Sequence, residues 1–319
     1  MDGTWVKANN NNGGADVSSL ELPVNVGSGS TLQNLTLPQQ SLTAMSFGTE
    51  NSVDANGIAL GASCNTAHSV VVGLSSEGVV GSSTVIGIGS QGLGSYSTVL
   101  GISSSASELG VAIGRQAYAG ERSVAIGSGA AASGLLQSIA IGDGATALSR
   151  FSCALGANSS VAADCTMSLA ALGAQVQAPG VISIGPNTVV SAQSSRSVQF
   201  GFEIDTAADC HDFIGIGSDM NLANVCSRTI MIGSDLNITT EGIFNSCMIG
   251  WSNVLQGPLS VAIGRTCSAN TLSVAIGNFA KALGSSSVAI GDRCTATGES
   301  VAIGVIAKTT GSDSVAIGK

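Results

Sequence analysis

The tetrapeptide Val-Ala-Ile-Gly occurs seven times word for word, at 111–114, 124–127, 261–264, 274–277, 288–291, 301–304 and 315–318. A motif returning at nearly fixed distance restricts the chain to architectures that stack one supersecondary unit on the next. Relaxing the motif to apolar-any-apolar-Gly adds Gly48, Gly61, Gly73, Gly87, Gly101, Gly142, Gly156, Gly173, Gly185, Gly201, Gly217, Gly233 and Gly250 to the series. The outcome is about twenty units at a mean spacing of roughly 14 residues, which suits one coil of a β-solenoid each. The array occupies 45–319, with longer, irregular coils over about 156–256.

Within a unit the two branched residues flank a single residue, as Val274 and Ile276 flank Ala275. That period of two belongs to a strand with one buried face, and Val and Ile favour strands. A second short alternation follows each glycine, for example Ala280 and Ala282 after Gly277, and a Gly or Ser turn leads to the next strand. The expected coil is therefore strand, Gly turn, short strand, turn, with the Val/Ile strand facing the small Ala/Cys/Ser strand across a narrow core. Aromatic residues at 3% and charged residues at 10% exclude a thick aromatic core and a charge-laced helical bundle. The fold class is all-β, a parallel β-solenoid.

On this reading the middle residue of the strand points outward. It is Ala112, Ala125, Ala140, Ala262, Ala275, Ala289, Ala302 and Ala316 in the regular coils, Met231 and Met248 in longer ones, and Gln199 as a polar exception. A ladder of small or apolar side chains on an outer face is expected to pack against other copies of the chain, with cyclic symmetry closing the assembly.

The stretch Gly277-Asn-Phe-Ala-Lys-Ala-Leu-Gly-Ser-Ser-Ser-Val-Ala-Ile-Gly291, continued by Asp-Arg-Cys-Thr-Ala-Thr-Gly-Glu-Ser-Val-Ala-Ile-Gly304, resembles the head repeat of trimeric autotransporter adhesins of the YadA type. The resemblance is close over about 101–156 and 250–318 and looser elsewhere. It implies a homotrimer of left-handed parallel β-rolls, non-enzymatic, that binds host surfaces or extracellular matrix.

Those adhesins carry a signal peptide, a coiled-coil stalk and a membrane anchor. The chain shows no basic start followed by an apolar stretch, no heptad segment and no run of 18 apolar residues. The expectation drawn from this is a fibre or decoration protein on the surface of a virus particle, phage or large DNA virus, contacting other virion proteins or a host receptor. The alternative is the head of a bacterial adhesin at the cell surface. Residues 1–44, with the polar run Asn9 to Gly14, are expected to form an attachment arm or a cap for the first coil.

Eight cysteines without a C-x-x-C pair favour small buried hydrophobes over a zinc site, and suit synthesis in a reducing cytosol or nucleus. The longer coils are expected to protrude as loops, the richest holding Glu203, Asp205, Asp209, His211 and Asp212 as a candidate contact surface. Calcium-loop spacing is not met there, so no metal is assigned. The Gly-x-Gly runs belong to the repeat and open no helix, so no cofactor is expected, and no nucleophile, base and acid stand out. Eleven basic against twenty acidic residues, net −9, leaves no footprint for nucleic acid. No membrane insertion is expected.

Overall fold

The computed structural model describes residues 45–318 apart from 54–56, 80, 135, 193, 207–208, 223–225, 239 and 241. The expected arm over 1–44 lies outside these residues. The described strands form one 37-stranded sheet, and no helix occurs among them. Pairing is parallel throughout and, in the regular coils, in register from coil to coil. Val274, Ala275, Ile276, Gly277 and Asn278 pair with Val288, Ala289, Ile290, Gly291 and Asp292, while Lys281 and Ala282 pair with Thr295 and Ala296. Each regular coil thus supplies a rung to a ladder of longer strands, such as Val274–Asn278, and a rung to a ladder of two-residue strands, such as Lys281–Ala282. The sequence expectation of a parallel solenoid holds.

The faces are reversed. Ala112, Ala125, Ala140, Ala262, Ala275, Ala289 and Ala302 are fully buried within a single chain, and Ala316, on the last coil, packs partly against the same core. The branched residues on either side face out: Ile139 and Ile141 are each 37% exposed, and Ile214 and Ile216 about 40%. The alanines therefore cannot form the interface between copies. A coil of roughly 14 residues leaves room between its two ladders for methyl groups but not for two layers of branched side chains.

Complementary volumes across the core support this account. In the regular coils Ala275 is enclosed with Ala280 and Ala282, all fully buried. Near the start of the array the middle residue grows to Val71, Val85 or Val99, and the short strand shrinks to Glu77–Gly78 and Gln91–Gly92. A Cβ on Gly92 would lie 3.0 Å from Val85 Cγ2, so the valine fills the space that alanine takes elsewhere. Gly201, Gly217 and Gly233 are 16 residues apart, and the next interval, to Gly250, is 17. These wider coils enclose Ile204, Phe213, Met220, Met231, Leu236, Ile238, Ile243 and Met248, all essentially without solvent contact. Met231 and Met248 are thus core residues, as is Gln199, whose Nε2 donates to Thr206 Oγ1 at 3.2 Å. Among the described residues of these coils, strands extend to nine residues, as in Val198–Thr206 and Cys226–Ser234, and a short pairing joins Cys210 and His211 to Cys226 and Ser227.

The closing glycine has a steric cause. Gly277 has φ 136°, outside the range of ordinary L residues, and a Cβ placed on it would stand 2.0 Å from the carbonyl oxygen of Gly291 in the next coil. The same close approach recurs at Gly264, Gly291 and Gly304. Three residues further on, a small donor often reaches the glycine carbonyl one coil later: Ser76 Oγ to Gly87 O at 3.0 Å, Ser90 Oγ to Gly101 O at 2.8 Å, and Cys294 Sγ to Gly304 O at 2.8 Å. A serine that precedes many of the long strands also faces inward, as Ser273, Ser287 and Ser260 do. Ser287 Oγ donates to Gly284 O at 2.7 Å, which removes the cost of burying a hydroxyl.

Gly173 is not a member of the glycine series. Cys153, Ala154 and Leu155 pair with Met167, Ser168 and Leu169, so Ala170 holds the register of Gly156, and an irregularity follows before Ala157 pairs with Leu172. Gly173 sits at φ 65°, the left-handed turn conformation, rather than near the 130° typical of the series. One extra residue in a parallel ladder where alanine replaces the closing glycine is a β-bulge with an evident cause.

Turns rely on left-handed residues that are mostly not glycine. Phe279, Arg293 and Ile306 have φ of 54°, 54° and 56°, and Leu272 has 54°. Their amides are held by the preceding coil, as in Leu272 N to Pro258 O at 2.9 Å. A branched or bulky residue in this region costs about 1 kcal/mol, less for Asn. Leu272→Asn, at an exposed position, is therefore expected to raise stability by about 0.5–1 kcal/mol, read as a small increase in melting temperature. A decrease would mean that Leu272 makes a contact worth more than its backbone strain.

Candidate functional site

The outward face of the long-strand ladder is a coherent apolar surface among the described residues. Every regular coil contributes two side chains to it, among them Val274 and Ile276, Val288 and Ile290, Val261 and Ile263, and the wider coils contribute Ile214, Ile216, Ile230 and Ile232. Consecutive rungs are about 4.8 Å apart, so the side chains form a continuous apolar stripe. Soluble surfaces rarely leave contiguous apolar area of this kind uncovered. This face, and not the alanines, is the candidate contact between copies. Sequence reasoning had both faces in hand and reversed them.

The acidic segment of the wide coils does not converge. Glu203 is exposed at a left-handed corner, and Asp205 lies within the strand Val198–Thr206. Asp212 pairs with Arg196 at 2.9 Å, and Asp209 Oδ1 meets His211 Nε2 at 2.9 Å. Among the described residues no group of three or more His, Cys, Asp or Glu side chains is placed to hold a metal ion. The structure adds a residue that the sequence did not single out. Ser195 Oγ lies 2.9 Å from His211 Nδ1, and the Ser195 amide donates to the same nitrogen at 3.4 Å. Ser195 stands 16 residues before His211, one wide coil, so the repeat length is the signal that could have found it.

Serine, histidine and aspartate in a row are the residue types of a hydrolytic triad. Here, however, the imidazole and the carboxylate are 41% and 48% exposed. The Ser195 amide and hydroxyl at Nδ1 and Asp209 at Nε2 hold the ring between neighbouring coils and tie them together. The arrangement is a clamp at a coil corner, and it joins Glu203, Asp205 and Asp212 into no shared site.

None of the eight cysteines forms a disulfide. Cys64, Cys210, Cys226, Cys267 and Cys294 are buried as expected, whereas Cys153 and Cys247 are half-buried on the apolar face and Cys165 is exposed. Burial pushes the Cys153, Cys247 and Cys267 thiols up, and a hydrogen bond with Cys210, together with burial, pushes Cys226 up. Thiols held above their usual range stay protonated and slow at neutral pH. By exposure, Cys165 of the native protein is expected to react first with an aromatic disulfide reagent, and the buried Cys64, Cys210, Cys226, Cys267 and Cys294 only after unfolding. Rapid native-state reaction of these buried thiols, located by peptide mapping, would contradict the core described here.

A family model described as the YadA head domain repeat matches residues 107–130, 119–135, 136–159, 269–293 and 298–319. Those segments, less than half of the chain, match the YadA head repeat. The matched segments are regular coils, with Ala-filled cores and an outward Val/Ile ladder, and the wide coils between Gly201 and Gly250 lie outside them. YadA head repeats on a β-solenoid are typical of structural adhesins rather than of enzymes. No curated protein matches the chain.

Proposed function

We propose that this chain is the head of a trimeric adhesin, displayed on a bacterial cell surface and binding host cells or matrix. In this assembly three copies bring their Val/Ile ladders together about a threefold axis. The observation that carries the reading is the apolar stripe, which a single chain leaves half exposed coil after coil. Covering the two outward side chains of one coil contributes roughly 1–2 kcal/mol per chain at about 25 cal/mol per Å², and the repeat multiplies that gain. The short-strand ladder faces the opposite way and stays available for contact. The head-repeat match favours this reading over a virion fibre, for which the fold offers no separate support.

Adhesion is tested by coating beads with the chain and applying them under flow to eukaryotic cell monolayers and to matrix-coated glass. Retention of coated beads above albumin-coated beads is the expected result. Equal detachment of both on every surface would contradict the adhesive reading.

A further inference from the structure

The charge of the chain is unevenly placed. Between Trp251 and Lys308 the basic residues are Arg265, Lys281, Arg293 and Lys308, and the acidic ones are Asp292 and Glu299, a local excess of positive charge in a chain of net −9. The fold gathers these cations on adjacent rungs. Lys281 pairs in register with Thr295, and Thr295 bridges to Lys308, which sets the two lysines two rungs, about 9.6 Å, apart along the short-strand ladder. Phe279 and Arg293 sit at the left-handed corner beside them. Phe279, Lys281, Arg293 and Thr295 line a shallow depression of about 380 Å³.

Aromatic rings flank the cations. The Arg265 guanidinium lies 4.9 Å from the centre of the Trp251 ring and 5.8 Å from that of Phe279, and both rings are well exposed, at 47% and 36%. Arg265, Lys281 and Lys308 have no carboxylate partner among the described residues, while Arg293 has only Asp292, at 3.7 Å. Unpaired cations in register beside exposed rings cost solvation and side-chain entropy once ordered, and they serve a ligand that brings anions and apolar C–H faces together.

We infer that this corner binds an anionic polysaccharide, its sulfate or carboxylate groups paired with Lys281, Arg293 and Lys308 and a pyranose face packed on Phe279. The inference rests on the adhesin reading above and names its ligand class. The patch lies mainly on the short-strand side, so the proposed assembly through the Val/Ile ladder leaves the lysines free. A sugar polymer fits better than nucleic acid. Stacking successive bases needs a platform of several rings, and here Arg265 lies closest over Trp251, which leaves Phe279 alone, enough for one sugar face.

The test is binding of the full chain to immobilised heparin, hyaluronan, dextran and single-stranded DNA, compared with Lys281→Thr/Arg293→Asn. These substitutions place residues that the array already uses at such positions, as in Thr295 and Asn187. Expected is binding to heparin, to hyaluronan or to both, weakening with salt, at least about tenfold weaker in the variant at unchanged solution mass, with dextran inert. Binding to heparin alone assigns the site to sulfate, and binding to hyaluronan as well assigns it to any anionic sugar. No polysaccharide binding, equal binding by the variant, or stronger binding to DNA would overturn the inference. The bead assay separates the two levels: adhesion retained in the variant overturns the ligand class alone, whereas adhesion absent in the unmodified chain overturns the adhesive reading.

Discussion

Gly277→Ala is expected to cost several kcal/mol, far more than the usual price of a surface substitution, although it adds one methyl group at a half-exposed position. Two causes act together. The backbone there has φ 136°, which strains any residue with a Cβ, and the new Cβ would stand 2.0 Å from the Gly291 carbonyl oxygen and 2.8 Å from its carbon. Neither contact can be relieved by turning a side chain, because both partners are backbone. Relief requires the two coils to move apart, which breaks the parallel pairing from Val274 to Asn278 with its neighbours on both sides. In a stack whose stability is a sum of nearest-neighbour interfaces, that loss divides the array. Gly311→Ala is the matched control: a Cβ there meets nothing within 4 Å, and the change should stay within about 0.5 kcal/mol. Denaturant titration of the two variants beside the parent checks the contrast. Equal midpoints for both would show that the glycine series is not the spacer between coils.

The second large effect separates inside from outside. Ile276→Asp with Ile290→Asp is expected to release single chains that keep their β-structure, because Ala275, Ala289, Ala280 and Ala282 still fill the core. Ala275→Asp with Ala289→Asp is expected to destroy the fold, since each carboxylate would enter a space that holds a methyl group and offers no counter-charge. Solution mass together with circular dichroism distinguishes the outcomes. An intact trimer in the isoleucine variant would place the contact between copies elsewhere, and a folded alanine variant would overturn the assignment of the core.

Much of the architecture is legible in the sequence. The repeat fixes the coil, its strand, its closing glycine and the register, because identical units stack only in register. The faces were harder to read. Alternation in Val274-Ala275-Ile276 shows that two faces differ without saying which is inner, and apolar ranking alone places the larger residues inside. The deciding signal was the middle residue, whose size trades against the residue it meets across the core: Ala275 with Ala280 and Ala282, Val85 with Gly92. Only an inward position answers to the volume opposite it. Gly173 was misplaced for a related reason, since Ala170 breaks the pattern by a residue that propensity treats as benign. Of the sites, Glu203 to Asp212 looked dense in sequence but spreads over different rungs and corners. The Trp251, Arg265, Phe279, Lys281 and Arg293 group is scattered in sequence and is assembled only by stacking.

The central claim, that the half-exposed Val/Ile ladder is covered by two further copies, is tested most directly by light scattering of the full chain at high and low concentration. The account predicts a mass near three times 31.3 kDa at both. A mass of 31.3 kDa at both would contradict it and leave the apolar stripe without the partner that explains it.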